Sequence, residues 1–114
     1  MRMAWLVLVA GMLAGSGLAA ASSKRDLAYF YRSNCAACHG VDGSARGTGG
    51  VRLPGRVLAN AGWMGKQEDQ ALIRSIREGK GAMPSFKEKL APDDCNRLLV
   101  EILRPMTKPV KRGR

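Results

Sequence analysis

Apolar side chains recur along this chain at the spacing of amphipathic helices, in three separate stretches. The first covers residues 23–34, where Ser23 followed by Asp26 fits a capping box that predicts a helix start at Ser23. The second covers residues 67–78, and Gly79 is placed to end it. The apolar residues on one face are Leu27, Phe30 and Tyr31 in the first stretch and Leu72, Ile73 and Ile76 in the second.

The third stretch, residues 92–104, shows the fullest helical pattern. Pro92 suits the first position of a helix, and Asp93 and Asp94 complement the positive end of the helix dipole. Pro105 is predicted to end this helix. Its apolar stripe consists of Cys95, Leu98, Leu99, Ile102 and Leu103.

Two stretches between the predicted helices are rich in glycine and have no periodicity. Residues 40–55 contain six glycines, and residues 79–84 form a second, shorter loop. A loop as long as the first is usually functional, or is held in place by something that it wraps. No stretch has the alternation of a half-buried strand, so the sequence predicts an all-α domain.

The first 21 residues have the pattern of a secretory signal peptide, which is removed after export. Arg2 supplies a positive start, an apolar stretch follows at 4–13, and small residues lead to cleavage sites after Ala19 or, as we favour, Ala21. The alternative is an uncleaved membrane anchor, but the apolar stretch is shorter than the ~20 residues of a spanning helix. We therefore expect a periplasmic protein with a domain at 22–106 and a disordered basic tail at 107–114.

The chain is strongly basic, with 19 basic and nine acidic residues and a formal charge of +10. Loss of the signal peptide removes only Arg2 from this count, so the mature charge is +9. Such a charge favours fast, weak docking on acidic protein surfaces. An exported protein is not expected to bind nucleic acid, although the tail could contact an anionic membrane surface. We expect a monomer.

The chemistry of the chain is concentrated at Cys35-Ala36-Ala37-Cys38-His39, the C-x-x-C-H signature of covalent haem attachment. Two thiols three positions apart at a helix end lie on the same side and can add to both vinyl groups of one haem. His39, the single histidine of the chain, then holds its imidazole against the iron. The sequence therefore predicts one covalently bound haem c at Cys35, Cys38 and His39, with the helices and Gly-rich loops around it.

Other uses of these cysteines fit less well. A thioredoxin-like site needs strands, and a structural zinc site needs four ligands. Counting Cys95 as a ligand conflicts with its place on an apolar stripe, where a small buried hydrophobe is the ordinary interpretation. A disulfide between Cys35 and Cys38 would leave the Gly-rich loops unexplained.

A second axial ligand is expected from a methionine. Met83 is the best candidate because it lies in a flexible loop and is followed by Pro84. Met64 is expected to pack in the core and Met106 at the surface or an edge. Ligation by His39 and Met83 would raise the haem potential and close the iron to other ligands, which suits electron transfer.

With these motifs in place, the sequence from 27 to 103 resembles the small bacterial class I cytochromes c. The resemblance implies the cytochrome c fold, with the first and last helices crossing over one edge of a buried haem. It also implies that the sulfur of Met83 is the distal ligand and that the carbonyl of Pro54 accepts a hydrogen bond from the His39 ring. The matching motifs are Y-x-x-x-C-A-A-C-H-G-x-D-G at 31–43, Leu53-Pro54-Gly55, and I-R-E-G-x-G-x-M-P-x-F at 76–86.

The sequence departs from this family in its helix packing. Leu27 replaces the glycine that is common where the first helix crosses the last, and Ile102 and Leu103 stand where the last helix often carries an aromatic residue. Trp63 is expected to pack at the haem edge or to donate a hydrogen bond to a propionate from its indole N–H, with ordinary core packing as the alternative. Arg52 and Arg56 are candidates for pairing with haem propionates, although loop arginines are usually solvated.

The predicted function is transport of single electrons between exported or membrane-bound redox partners, without catalysis. An alternative within electron transfer is a dedicated cytochrome subunit of one dehydrogenase or oxidase complex. A haem enzyme or gas sensor would require that Met83 leave the iron open.

Overall fold

The computed structural model describes Gly11 and residues 25–109, and its regular elements are helices. Within this part of the chain, extended pairing is limited to two isolated bridges, Arg46 with Arg52 and Lys80 with Met83. The all-α prediction is therefore confirmed for the described residues. The elements are α1 (Leu27–Asn34), α2 (Ala36–His39), α3 (Ala61–Met64), α4 (Asp69–Glu78) and α5 (Pro92–Leu98), with a π-helical turn at Leu99–Leu103 and 3₁₀ turns at Thr48–Gly50 and Arg104–Thr107.

The first helix begins at Leu27, and the predicted start at Ser23 is wrong. Asp26 is the N-cap residue, with extended backbone, and its carboxylate accepts a 3.0 Å hydrogen bond from the Tyr29 N–H. A short acidic side chain in this position satisfies one of the unpaired donors of the first turn. Ser23 itself lies outside the described residues.

The second predicted helix is α4, which begins two residues later than expected. The N–H of Gln67 donates to the carbonyl of Met64, so it belongs to the preceding turn, and Glu68 takes the N-cap position. The C-terminus is as predicted. Gly79 caps α4 with φ 80° and ψ 168°, a backbone conformation that is open almost only to glycine.

The last predicted helix begins at Pro92 as expected but changes its winding after Leu98. The π-helical turn is followed by a 3₁₀ turn that contains Pro105, so the prediction that Pro105 ends the helix is wrong. Thr107 belongs to that turn as well, and residues 110–114 of the predicted tail lie outside the described residues. The predicted signal peptide, apart from Gly11, also lies outside them.

The core lies where α1 contacts α5 and the π-helical turn, and where α4 packs against the same two elements. Leu27 is buried at the first contact, whereas its neighbour Ala28 is half-buried. Arg104 connects this core to the segment before α4 through the carbonyl oxygens of Met64 and Gln67, at 2.5 and 2.8 Å. Among the described helices, none is long and apolar enough to cross a membrane.

Candidate functional site

One cavity of about 420 Å³ opens between the helices and contains all of the predicted site residues in its wall. Its volume lies in the range of pockets that hold a cofactor or a drug-sized ligand. Most of the wall is apolar and comes from every helix and from both glycine-rich loops. The predicted residues are Cys35, Cys38, His39, Pro54 and Met83, and the apolar wall includes Phe30, Leu58, Trp63, Met64, Leu72, Ile76, Phe86, Leu98 and Leu103.

The two cysteines are placed by the junction between α1 and α2. The carbonyl oxygen of Cys35 accepts hydrogen bonds from the main-chain N–H groups of Cys38 and His39, at 3.2 and 2.9 Å. One helical turn therefore separates the two thiols. Cys35 is half-buried and Cys38 is exposed. Burial, together with the nearby Cys38, raises the pKa of the Cys35 thiol to about 11 in the free chain. Both thiols thus reach one edge of the cavity, one from inside and one from the rim.

His39 is oriented by a backbone carbonyl, and the prediction that this carbonyl belongs to Pro54 is wrong. The ring atom Nδ1 lies 2.8 Å from the carbonyl oxygen of Arg56. Because a carbonyl only accepts, Nδ1 carries the proton and Nε2 is left with a free lone pair. An imidazole held in this tautomer is prepared to bind a metal through Nε2.

Gly55 explains why Arg56, rather than Pro54, provides the acceptor. The N–H of Gly55 donates to the carbonyl of Cys38 at 2.8 Å, which fixes the loop against α2 one residue before Arg56. A Cβ at Gly55 would overlap the carbonyl group of Cys38 and lie 2.8 Å from Nδ1 of His39. The absence of a side chain at Gly55 therefore lets the backbone come close to the ring. Neither the Arg56 carbonyl as the acceptor nor the close approach of the backbone at Gly55 was predicted from the sequence.

Met83 is presented by a tight turn. The N–H of Lys80 donates to the carbonyl of Met83 at 3.1 Å, and the N–H of Met83 donates back to Lys80 at 3.0 Å. Gly79 supports this turn closely, since a Cβ there would lie 2.6 Å from the Met83 carbonyl oxygen. The thioether of Met83 is half-buried in the cavity wall and comes from a chain segment far from His39.

Two further aromatic residues support the region around His39. Tyr31 is buried and donates from Oη to the carbonyl of Gly40 at 2.6 Å. Trp63 lies in the cavity wall, and the guanidinium carbon of Arg56 is 4.8 Å from its ring centroid. An open depression of about 440 Å³ adjoins the cavity here and is lined by Arg52, Pro54, Gly55, Arg56, Val57, Asn60 and Trp63.

The remaining candidates lie away from this wall or within the core. Cys95 is fully buried on the inner face of α5, and burial raises its pKa. Met64 is buried as expected, and Met106 is half-buried outside the cavity wall. In the described residues, no group of three or more His, Cys, Asp or Glu side chains could hold a metal ion, so the zinc interpretation finds no ligand set there.

The residues of the cavity fit a covalently attached haem. Two thiols stand at one edge, an imidazole with a free Nε2 and a thioether share its wall, and the rest is apolar enough to exclude water. These features define the class of c-type cytochromes.

Residues 22–101 match the family described as cytochrome c oxidase, cbb3-type, subunit III, and the chain belongs to this family. It is 32% identical over 73 residues to cytochrome c6 of Leptolyngbya boryana, covering 64% of this chain and 81% of that protein. It is also 31% identical over 85 residues to FixP of Rhizobium etli, a cbb3-type cytochrome c oxidase subunit, covering 74% of this chain. The chain spans only 26% of the length of FixP.

Solved structures give the same fold. The c-type cytochrome KustC0563 aligns with a TM-score of 0.60 at 35% identity, covering 74% of this chain and all of that one. The c-type cytochrome NirC aligns with a TM-score of 0.57 at 19% identity, covering 73% of this chain and 91% of that one, which supports the fold alone. The predicted cytochrome c fold and covalently bound haem c are thereby confirmed, and the protein is a monohaem electron-carrying cytochrome with redox proteins as partners.

Proposed function

We propose that Cys35 and Cys38 form the two thioether bonds to the haem and that His39 and Met83 are its axial ligands. The observation that carries this proposal is that all four side chains line a single cavity. His39 is already held in the tautomer that leaves Nε2 free, and Met83 is held by a closed turn. Pro54 contributes to the cavity wall instead of to the hydrogen bond on His39.

The haem supplies one-electron redox chemistry at its iron, and the side chains around it decide which chemistry is allowed. The largely apolar wall would limit the access of water to a bound haem, and ligation by the Met83 thioether would leave no free site on the iron for an external ligand. We therefore propose a carrier of single electrons that does not catalyse a reaction.

We further propose that the protein is exported, that its signal peptide is cleaved near Ala21, and that it works in the periplasm as a monomer. The basic composition favours partners with acidic docking surfaces, such as an oxidase, a reductase or a dehydrogenase.

The first test is the optical spectrum of the protein matured with haem, in the oxidised and reduced states. Sulfur ligation predicts a weak far-red band in the oxidised form, and no spectral change when CO is added to the reduced form. Met83→Ala should abolish the band and admit CO, whereas Met106→Leu, a change outside the cavity wall, should do neither. CO binding to the unmodified protein would instead support the sensor or enzyme alternative.

The second candidate is a dedicated subunit of an oxidase complex, and the family match and the similarity to FixP favour it. Purification from native membranes with and without salt separates the two roles. A free carrier should be recovered alone at physiological ionic strength. A subunit should remain with its oxidase after a wash in high salt, because a stable interface does not depend on screened surface charges alone.

A further inference from the structure

Arg56 touches two parts of the site at once. Its carbonyl oxygen accepts the 2.8 Å hydrogen bond from Nδ1 of His39, and its guanidinium group lies over the ring of Trp63, 4.8 Å from the centroid. A guanidinium group at this distance from an indole is held by a cation–π attraction of roughly 0.5–1 kcal/mol at an exposed site. The same residue therefore joins the His39 ring to Trp63.

Trp63 is a fixed partner for this contact. It lies in α3, where the side-chain oxygen of Asn60 accepts a 2.9 Å hydrogen bond from the main-chain N–H of Trp63 and caps the helix. On the other side, Arg104 donates to the carbonyl of Met64 at 2.5 Å and thereby holds the end of α3 against the C-terminal turn. The backbone that carries the indole is thus held at both ends of this short helix.

The backbone around Arg56 has few other restraints. The N–H of Gly55 is bonded to Cys38, and the next main-chain hydrogen bond along this loop, among the described residues, is that of Ala59 to Gly43. Arg56 lies between these two anchors. Its contact with Trp63 is therefore a side-chain restraint on the residue whose carbonyl faces His39, in addition to the backbone anchor at Gly55.

We propose that the stacking of Arg56 on Trp63 positions the Arg56 carbonyl and thereby sets the strength of the hydrogen bond on His39. Arg56 is a positioning residue in this account, which rests on the proposed role of His39 as an iron ligand. A strong bond from Nδ1 makes the imidazole more basic and favours oxidised iron. Loss of the stacking should therefore raise the reduction potential.

The reduction potentials of three variants separate the effect of the lost stacking from the effect of a lost positive charge. Trp63→Leu removes the stacking without changing charge, and the potential should rise. Arg52→Gln removes a positive charge from the same depression without touching the stacked pair, and the potential should fall, because oxidised iron is then opposed by less positive charge. Arg56→Gln combines both changes, so its potential should lie clearly above that of Arg52→Gln.

A second readout follows the hydrogen bond itself. In the reduced protein, exchange of the His39 Nδ1 proton with solvent, measured by NMR, should become roughly two- to fivefold faster in Trp63→Leu and Arg56→Gln, in line with the attraction that is lost. Arg52→Gln should leave the exchange rate unchanged. Arg56→Lys keeps a cation but loses the planar group, and it should restore only part of the protection.

The proposal is overturned if Trp63→Leu changes neither potential nor proton exchange, or if Arg56→Gln and Arg52→Gln shift the potential equally. Failure of the proposed ligand set would look different. The unmodified protein would then lack the low-spin spectrum of an iron with two axial ligands before any variant is made, and both proposals would fall together.

Discussion

Tyr31 Oη donates a 2.6 Å hydrogen bond to the carbonyl oxygen of Gly40, which joins the middle of α1 to the residue after His39. The phenol is buried, and its burial, with smaller effects of Cys35 and Asp42, raises its pKa above the ordinary value. Tyr31 therefore stays protonated and keeps donating at any physiological pH. The bond fixes the end of α2, on which His39 stands, against α1.

Removing this hydroxyl should destabilise the folded protein by about 1 kcal/mol. The loss is moderate because the N–H of Gly43 also reaches the Gly40 carbonyl, at 3.2 Å, and leaves it one partner in Tyr31→Phe. Tyr29→Phe is the matched control, since Tyr29 is 64% exposed. Guanidinium unfolding of the haem-loaded variants measures both, and equal stabilities would contradict a structural role for the Tyr31 bond.

Gly55 should be intolerant of any side chain, because the added Cβ would overlap the backbone beside His39. We expect Gly55→Ala to cost about 1–3 kcal/mol through overpacking. It should also lower the yield of haem-loaded protein, since the His39 ring is displaced. The amount of covalently bound haem per chain, read from the reduced spectrum, measures this effect.

Gly47→Ala is the control for that substitution, as it lies in the same loop. Its φ of −95° suits any residue, and the new Cβ would lie 3.3 Å from the end of the Leu53 side chain and 3.8 Å, an ordinary contact distance, from the carbonyl oxygen of Val51. Haem loading and stability should stay close to those of the unmodified protein. A loss as large as in Gly55→Ala would show that the loop tolerates no change at all, and that the contact with His39 is not special.

The helices were the part of the fold that periodicity could predict. The apolar stripe predicted that α4 exists, and Gly79 predicted where it ends. The start of α4 depends on a turn between Met64 and Gln67, and this turn has no apolar pattern. The first helix shows the same limit. Both Ser23 and Asp26 suit an N-cap, and the backbone geometry at Asp26 decides between them.

The site was predictable where side chains do the chemistry and not where the backbone does. The types and spacing of Cys35, Cys38 and His39 point to haem directly, and Met83 is favoured by the loop around it. The acceptor for His39 is a main-chain oxygen, and every residue of the loop carries one. Only the three-dimensional path through Gly55 shows that Arg56, and not Pro54, provides it.

Gly79 should matter more to the Met83 turn than Gly81 does, although both have positive φ. Replacing either by alanine costs about 1–3 kcal/mol for the positive-φ backbone. Gly79→Ala adds a Cβ 2.6 Å from the Met83 carbonyl oxygen, whereas a Cβ at Gly81 would meet nothing within 4 Å. We expect Gly79→Ala to weaken the far-red band and to admit CO to the reduced protein, while Gly81→Ala keeps the band. The turn does not position Met83 if both variants keep it.

Cys95 should behave as an inert core residue, although it is the one cysteine left free once the haem is attached. It is fully buried, and burial raises its pKa, with a lesser opposing effect of Arg77. The folded state therefore binds the thiol proton of Cys95 more tightly than the unfolded state does. The contribution of this proton to folding stability is fully present below the ordinary pKa of a thiol, and it is lost as the pH rises through the raised pKa of Cys95.

Alkylation of the haem-loaded protein by iodoacetamide at pH 8 measures this burial. We expect the reaction to be on the order of a thousandfold slower than in guanidinium, since it has to wait for unfolding. Cys95→Ala, which contains no free thiol once the haem is bound, gives the background. Labelling of the native protein at the unfolded rate would place Cys95 at an accessible surface and would indicate a redox or dimerisation thiol instead.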